Sequence, residues 1–219
     1  MSYETKDGFY LSPGSSRGAD GPSARSRSNP RPVPGAVVHP MPPEYTELQI
    51  LEAIPRMMAF VREGRELYYP AAQPLTEEMI SAVGRFFSPT LLSGARVVKL
   101  SACRLSNPSF YPEVKSKGFN NLPDFAHMTS VTFLDVVVFN EGITARNLLH
   151  ALVHVAQFEI LGIERYVELF LRGFLRTKSY SLVPMKAHAF ALDGRYARNK
   201  SESFSVEEEV QQWLREDRY

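Results

Sequence analysis

The chain has 219 residues, 44% hydrophobic and 22% charged, which is enough to bury a core in one domain of moderate size without a staple. Twenty-five basic residues against 24 acidic ones leave a net charge of +1. That balance excludes a strongly basic footprint or a polyacidic tail as the organising feature, so no nucleic-acid partner is expected. A single cysteine, Cys103, rules out an intramolecular disulfide framework and any cysteine cluster for zinc or iron–sulfur.

No run reaches the roughly eighteen uncharged apolar residues of a membrane helix, and the start lacks a signal peptide's basic and apolar pattern. A soluble, reduced, cytoplasmic protein with no membrane partner is expected. Residues 1–43 hold eight of the sixteen prolines and a Ser/Gly/Arg-rich run from Ser12 to Arg31. Such a stretch buries too little surface to offset its ordering entropy and reads as a flexible arm. Its arginines (Arg17, Arg25, Arg27 and Arg31) could meet phosphate or simply be solvated.

Residues 44–219 read as one domain. Tyr45, Leu48, Leu51, Ile54, Met58 and Val61 recur at helical spacing, which predicts an amphipathic helix ending near Gly64 and kinked or split at Pro55. Thr76 before Glu77 and Glu78 predicts a capped helix to about Phe87, with Pro89 and Gly94 marking its exit. Ala95–Leu100 and the longer run Val131–Phe139 predict strands, the second closed by turn residues at Asn140–Gly142. The Pro/Asn/Gly-rich stretch Asn107–Asp124 reads as irregular.

Thr144 caps a helix over 145–161 that Gly162 closes, followed by a second helix over 164–176 and a third from Pro184 to about Arg195. Ser205 caps a last helix with Val210, Trp213 and Leu214 on its apolar side. The first of these helices carries His150 and His154. Two histidines at i and i+4 stand one turn apart on one face, so both imidazoles can reach one metal ion at about 2.0–2.1 Å. Histidines on so apolar a helix must find polar partners or a metal, since an unsatisfied buried group costs roughly 1–3 kcal/mol.

His150 to Phe158, Leu161-Gly162-Ile163, Tyr166, Arg172–Leu175 and Tyr180–Met185 leading into Ala189-Phe190 together resemble the active-site region of small bacterial zincin-like proteins of the His-Glu-x-x-His, gluzincin-like type. The likeness spans about residues 95–215, with the metal-helix region at 143–196. It implies an α+β, zincin-like fold: a small sheet packed on a central histidine-bearing helix, the edge strand beside it and a third ligand from a later helix. It also implies metallopeptidase chemistry in which Glu is the general base toward zinc-bound water.

Two carboxylates of that pattern are absent. Ala151 stands at the general-base position, and a methyl group accepts no proton. Lys186 stands where the resemblance implies a third-ligand Glu, and a protonated amine cannot ligate a dication. A metzincin arrangement is excluded because its third histidine would fall at Ile160. An Ala151 introduced to disable an active parent would leave Lys186 unexplained.

Three readings follow. The chain is a metallopeptidase-like protein with impaired or lost hydrolysis, retaining at most weak zinc at His150 and His154. Alternatively, His188 joins them in a three-histidine site for zinc or another divalent transition metal such as copper or iron, although it lies about 200° around the helix from Lys186. Or the cleft is a non-catalytic binding module for a peptide or small molecule, with Lys186 supplying a fixed positive charge in place of the metal and free to pair with a ligand carboxylate or Asp193. Tyr180 matches the family's tyrosine before the Pro and either donates to a substrate oxygen or packs. A Cys103–His127 pair and a ligand contact from Asp135 are further options, each with packing or solvent exposure as the plain alternative.

Overall fold

A computed structural model describes residues 46–119 and 121–219; the arm expected over 1–43 lies outside the described residues. The described part is α+β, with seven α-helices and a four-stranded mixed sheet. Among the described residues no helix is long and apolar enough to cross a membrane.

Helix α1 (Glu47–Tyr68) begins at Thr46, whose side chain accepts from Gln49 N in a reciprocal capping box. It continues through Pro55 and runs four residues past the end expected at Gly64. Gly64 is not a stop signal here. Its missing side chain lets the helix lie on Phe133, whose ring carbons would sit 2.4 Å from a Cβ at that position.

Helix α2 (Glu77–Val83) is capped by Thr76 as the sequence predicts. Pro89–Gly94, expected to be a chain exit, forms a short helix α3 because Ser88 caps it and Pro89 suits its first turn. Strand β1 (Gln73–Pro74) pairs antiparallel with β2 (Arg96–Lys99), and β2 pairs parallel with β4 (Val136–Phe139). Helix α4 (Tyr111–Ser116) lies within the stretch that read as irregular.

The run 131–139 is not one strand. It is a hairpin of β3 (Ser130–Phe133) and β4, paired Phe133 to Val136 around a two-residue turn. Leu134 adopts φ 58° there, and the Asp135 carboxylate accepts two hydrogen bonds from Arg65 of α1 at 2.5 and 3.0 Å. Asp135 is thus a tether between hairpin and helix.

The sheet order is β1-β2-β4-β3, which leaves β3 on an edge and β4 inside. All four residues of β4 are buried. Val137 and Phe139 face the main core with Leu148, Leu149 and Leu152, while Val136 and Val138 face a second cluster with Leu105 and Phe125. Burial on both faces explains the unbroken apolar run.

Helix α5 (Ala145–Thr177) starts at Thr144, whose side chain accepts from Asn147 N, and breaks at Gly162 (φ 72°, ψ 162°). That positive φ favours glycine and turns two helical pieces against each other. Helix α6 (Pro184–Arg198) packs along α5. Their approach is close at Gly173, where a Cβ would lie 2.8 Å from Pro184 Cδ. Helix α7 (Val206–Arg215), capped by Ser205, packs on α5 from another side.

Candidate functional site

The site lies where the first half of α5 faces the first turns of α6. Nε2 of His150 and Nε2 of His154 both point at Lys186 Nζ, at 3.2 and 3.1 Å. The two rings stand edge to face, 5.2 Å between centroids. Lys186 is 8% exposed and His154 5%.

The remaining ring nitrogens fix the protonation pattern. His150 Nδ1 lies 2.7 Å from Asp193 Oδ2, an acceptor, so Nδ1 carries the proton and donates. The other Asp193 oxygen accepts from Arg146 Nε and Nη2 at 3.0 and 2.8 Å. His154 Nδ1 donates to Gln157 Oε1 at 2.7 Å, because the Gln157 amide nitrogen donates to the Met185 carbonyl at 3.2 Å. Both Nε2 lone pairs are then free to accept from the Lys186 ammonium. This is the tautomer that second-shell partners impose on metal-binding histidines.

Burial is the main influence on these groups. It pushes the Lys186 amine down to about 8, against a smaller opposing pull from Asp193, so the amine is an ammonium at neutral pH. Burial also lowers His150 and, more strongly, His154, with the Lys186 charge adding to both effects. Burial drives the Asp193 carboxyl upward, but hydrogen bonds from His150 and Arg146 outweigh it and hold the group below its usual range. The cluster therefore consists of two neutral imidazoles, one ammonium, one carboxylate and the Arg146 guanidinium paired with it.

Helical phase brings these residues together. Arg146, His150 and His154 recur at i+4 along α5, and Lys186, Phe190 and Asp193 fall at i, i+4 and i+7 along α6. The Phe190 ring lies against His150, 4.6 Å between centroids, and Lys186 Nζ lies 5.1 Å from the Tyr180 ring centre. The Tyr180 hydroxyl donates away from the cluster to Met128 Sδ at 3.5 Å, so its ring, rather than its phenol, meets the amine.

His188 is not part of this group. Two residues from Lys186, it faces α7, where its ring stacks on Trp213 at 3.9 Å and its Nδ1 lies 2.8 Å from the Tyr219 hydroxyl. Burial lowers it to about 4. Among the described residues no three His, Cys, Asp or Glu side chains gather to hold a metal ion. The Lys186 ammonium thus sits on the Nε2 side of both imidazoles, and among the described residues no third His, Cys, Asp or Glu side chain joins them there.

Ala151 is buried in the core, with its carbonyl 3.3 Å from the Thr132 hydroxyl of β3. Asp193 does not pair with Lys186 directly; His150 and Arg146 take its oxygens. Cys103 is exposed, and His127 pairs with Asp124 at 2.8 Å. Reasoning from sequence passed over Gln157 and Arg146, although their spacings of three and four from the two histidines could have flagged both.

A cavity of about 180 Å³ opens beside the cluster. His154, Lys186 and Tyr180 form part of its wall, together with the edge strand β3, and apolar side chains of α1 and of α5 beyond Gly162 form most of the rest. Comparisons with family models, with curated proteins and with solved structures return no match for this chain.

Proposed function

We propose that this protein is a zincin-like chain that has exchanged hydrolysis for binding, with the Lys186 ammonium standing where the metal of an active relative would be. The observation that carries this reading is the double hydrogen bond from Lys186 Nζ to the Nε2 atoms of His150 and His154. Those are the lone pairs a metal would use, and their Nδ1 partners Asp193 and Gln157 are the kind of second shell that orients metal-bound imidazoles. With Ala151 at the base position, no carboxylate is there to activate water. What remains is a buried, oriented positive charge at the edge of an apolar cleft.

Elemental analysis combined with one substitution tests this. The purified protein is expected to carry no stoichiometric zinc and to melt unchanged in chelator. Lys186→Glu, which supplies a third carboxylate ligand, is expected to take up about one equivalent of zinc, and hydrolysis is expected only when Ala151→Glu is added. Stoichiometric zinc in the wild-type protein would overturn the proposal. So would a folded Lys186→Glu variant that ignores zinc.

A further inference from the structure

We infer that the cavity beside Lys186 binds a small amphipathic monocarboxylate, its acid group on the Lys186 ammonium and its apolar chain between β3, α1 and the second half of α5. This rests on the reading of Lys186 as a resident cation and names the ligand class that would follow.

An ammonium has three N–H donors, and two of the three at Lys186 go to His150 and His154. Among the described residues no hydrogen-bond acceptor takes the third; the Tyr180 and Phe190 ring centres lie 5.1 and 5.6 Å from Nζ, and Lys186 helps to form the cavity wall. Among the described residues no carboxylate lies within ion-pair distance of this amine, and the oxygens of Asp193 are held by His150 and Arg146. A buried charge is costly without a partner of opposite sign. An incoming carboxylate supplies that partner and accepts the unused donor.

The rest of the wall fixes the tail. Met57, Phe60, Val131, Phe158, Phe170 and Leu171 make much of it apolar, and Arg56, the other cationic residue among the described lining, pairs with Glu113 at 2.7 Å, so an apolar body suits the ligand. An apolar cavity of about 150 Å³ accommodates a benzene ring. At about 180 Å³ this one suits a chain of about eight carbons, or an aryl group with one or two more. A polar peptide segment does not match its mostly apolar lining.

Titration calorimetry of the full chain with octanoate, octanol and octylamine tests the inference. Octanoate is expected to bind at least tenfold tighter than octanol, and octylamine not to bind. Lys186→Met, an uncharged replacement of similar length, is expected to abolish the preference for octanoate over octanol. Ala53→Trp, which places an indole on the cavity wall from α1, is expected to weaken octanoate at least tenfold at an unchanged melting temperature.

Equal affinity for octanoate and octanol in the folded wild-type protein would overturn the inference, as would octanoate binding unchanged by Lys186→Met or Ala53→Trp. A short peptide with a free C-terminal Phe outcompeting octanoate, while its C-terminal amide does not, would reassign the carboxylate to a peptide end and overturn the small-molecule source. A zinc-free protein that fails to take octanoate refutes the ligand class alone. A zinc-loaded wild-type protein refutes the reading beneath it.

Discussion

The ammonium of Lys186 donates to Nε2 of His154 at 3.1 Å, the atom that a metal-binding histidine would present to its ion. A cation on one helix therefore satisfies a buried imidazole on another without any bound metal. The same amine serves His150 at 3.2 Å, so one side chain ties the first turns of α6 to the first half of α5.

That arrangement sets an alkaline signature. Lys186 titrates near 8 when folded, and near 10.4 in an unfolded chain. Between those values the unfolded state binds more protons, so stability should rise with pH from about 8 to about 10. Urea unfolding at several pH values should show this rise in the wild-type protein and a flatter profile in Lys186→Met. Parallel profiles would mean that the amine does not titrate low in the folded state.

On the acid side the sign follows from the imidazoles. His150, His154 and His188 are all lowered, mainly by burial, and stay neutral when folded. The unfolded chain takes up protons at these positions below about pH 6.5. Stability present above that pH should be lost as the pH falls through it. His188→Phe keeps the stack on Trp213 and removes one of these groups, so its unfolding free energy should fall less steeply below pH 6.5.

Asn140 anchors the wall of the cavity. Its buried amide accepts from Leu105 N at 2.8 Å and donates to the Phe125 and Met128 carbonyls at 2.7 and 2.8 Å. Asn140→Ala leaves Leu105 N and Met128 O without their partner, each costing about 1–3 kcal/mol if it stays dry, while the Phe125 carbonyl keeps only Met128 N at 3.3 Å. A loss of about 3 kcal/mol or more in urea unfolding is expected, with faster amide exchange over 105–128.

Gly173 sets the spacing between α5 and the start of α6. A Cβ there meets Pro184 Cδ at 2.8 Å and Val183 Cγ1 at 3.2 Å. Gly173→Ala should destabilise by about 1–3 kcal/mol through overpacking. It should also move Lys186, two residues after Pro184, and so perturb the imidazole resonances of His150 and His154 more than that of His127.

Much of this architecture is legible in the chain because local chemistry decides it. Thr76, Thr144 and Ser205 cap the helices they precede, and Gly162 interrupts α5 at a positive φ. The β3–β4 hairpin is not legible: its turn is Leu134-Asp135, without the Gly or Asn that marks such turns, and both flanking strands are apolar. Helix α4 is hidden by the Pro and Gly around it.

At the site, the spacing of His150 and His154, the Ala151 between them and the later Lys186 are visible in the sequence. That Lys186 itself bridges both imidazoles is not, because it depends on how closely α5 and α6 approach. His188 illustrates the opposite case. Its identity suggests a ligand, but helical phase turns it toward Trp213.

The most direct test is nitrogen-15 NMR of the imidazoles at pH 7, before and after one equivalent of zinc. Both site histidines should be protonated at Nδ1, with Nε2 accepting a hydrogen bond, and neither signal should move when zinc is added. A zinc-induced shift at the Nε2 nuclei of His150 and His154 would contradict the account.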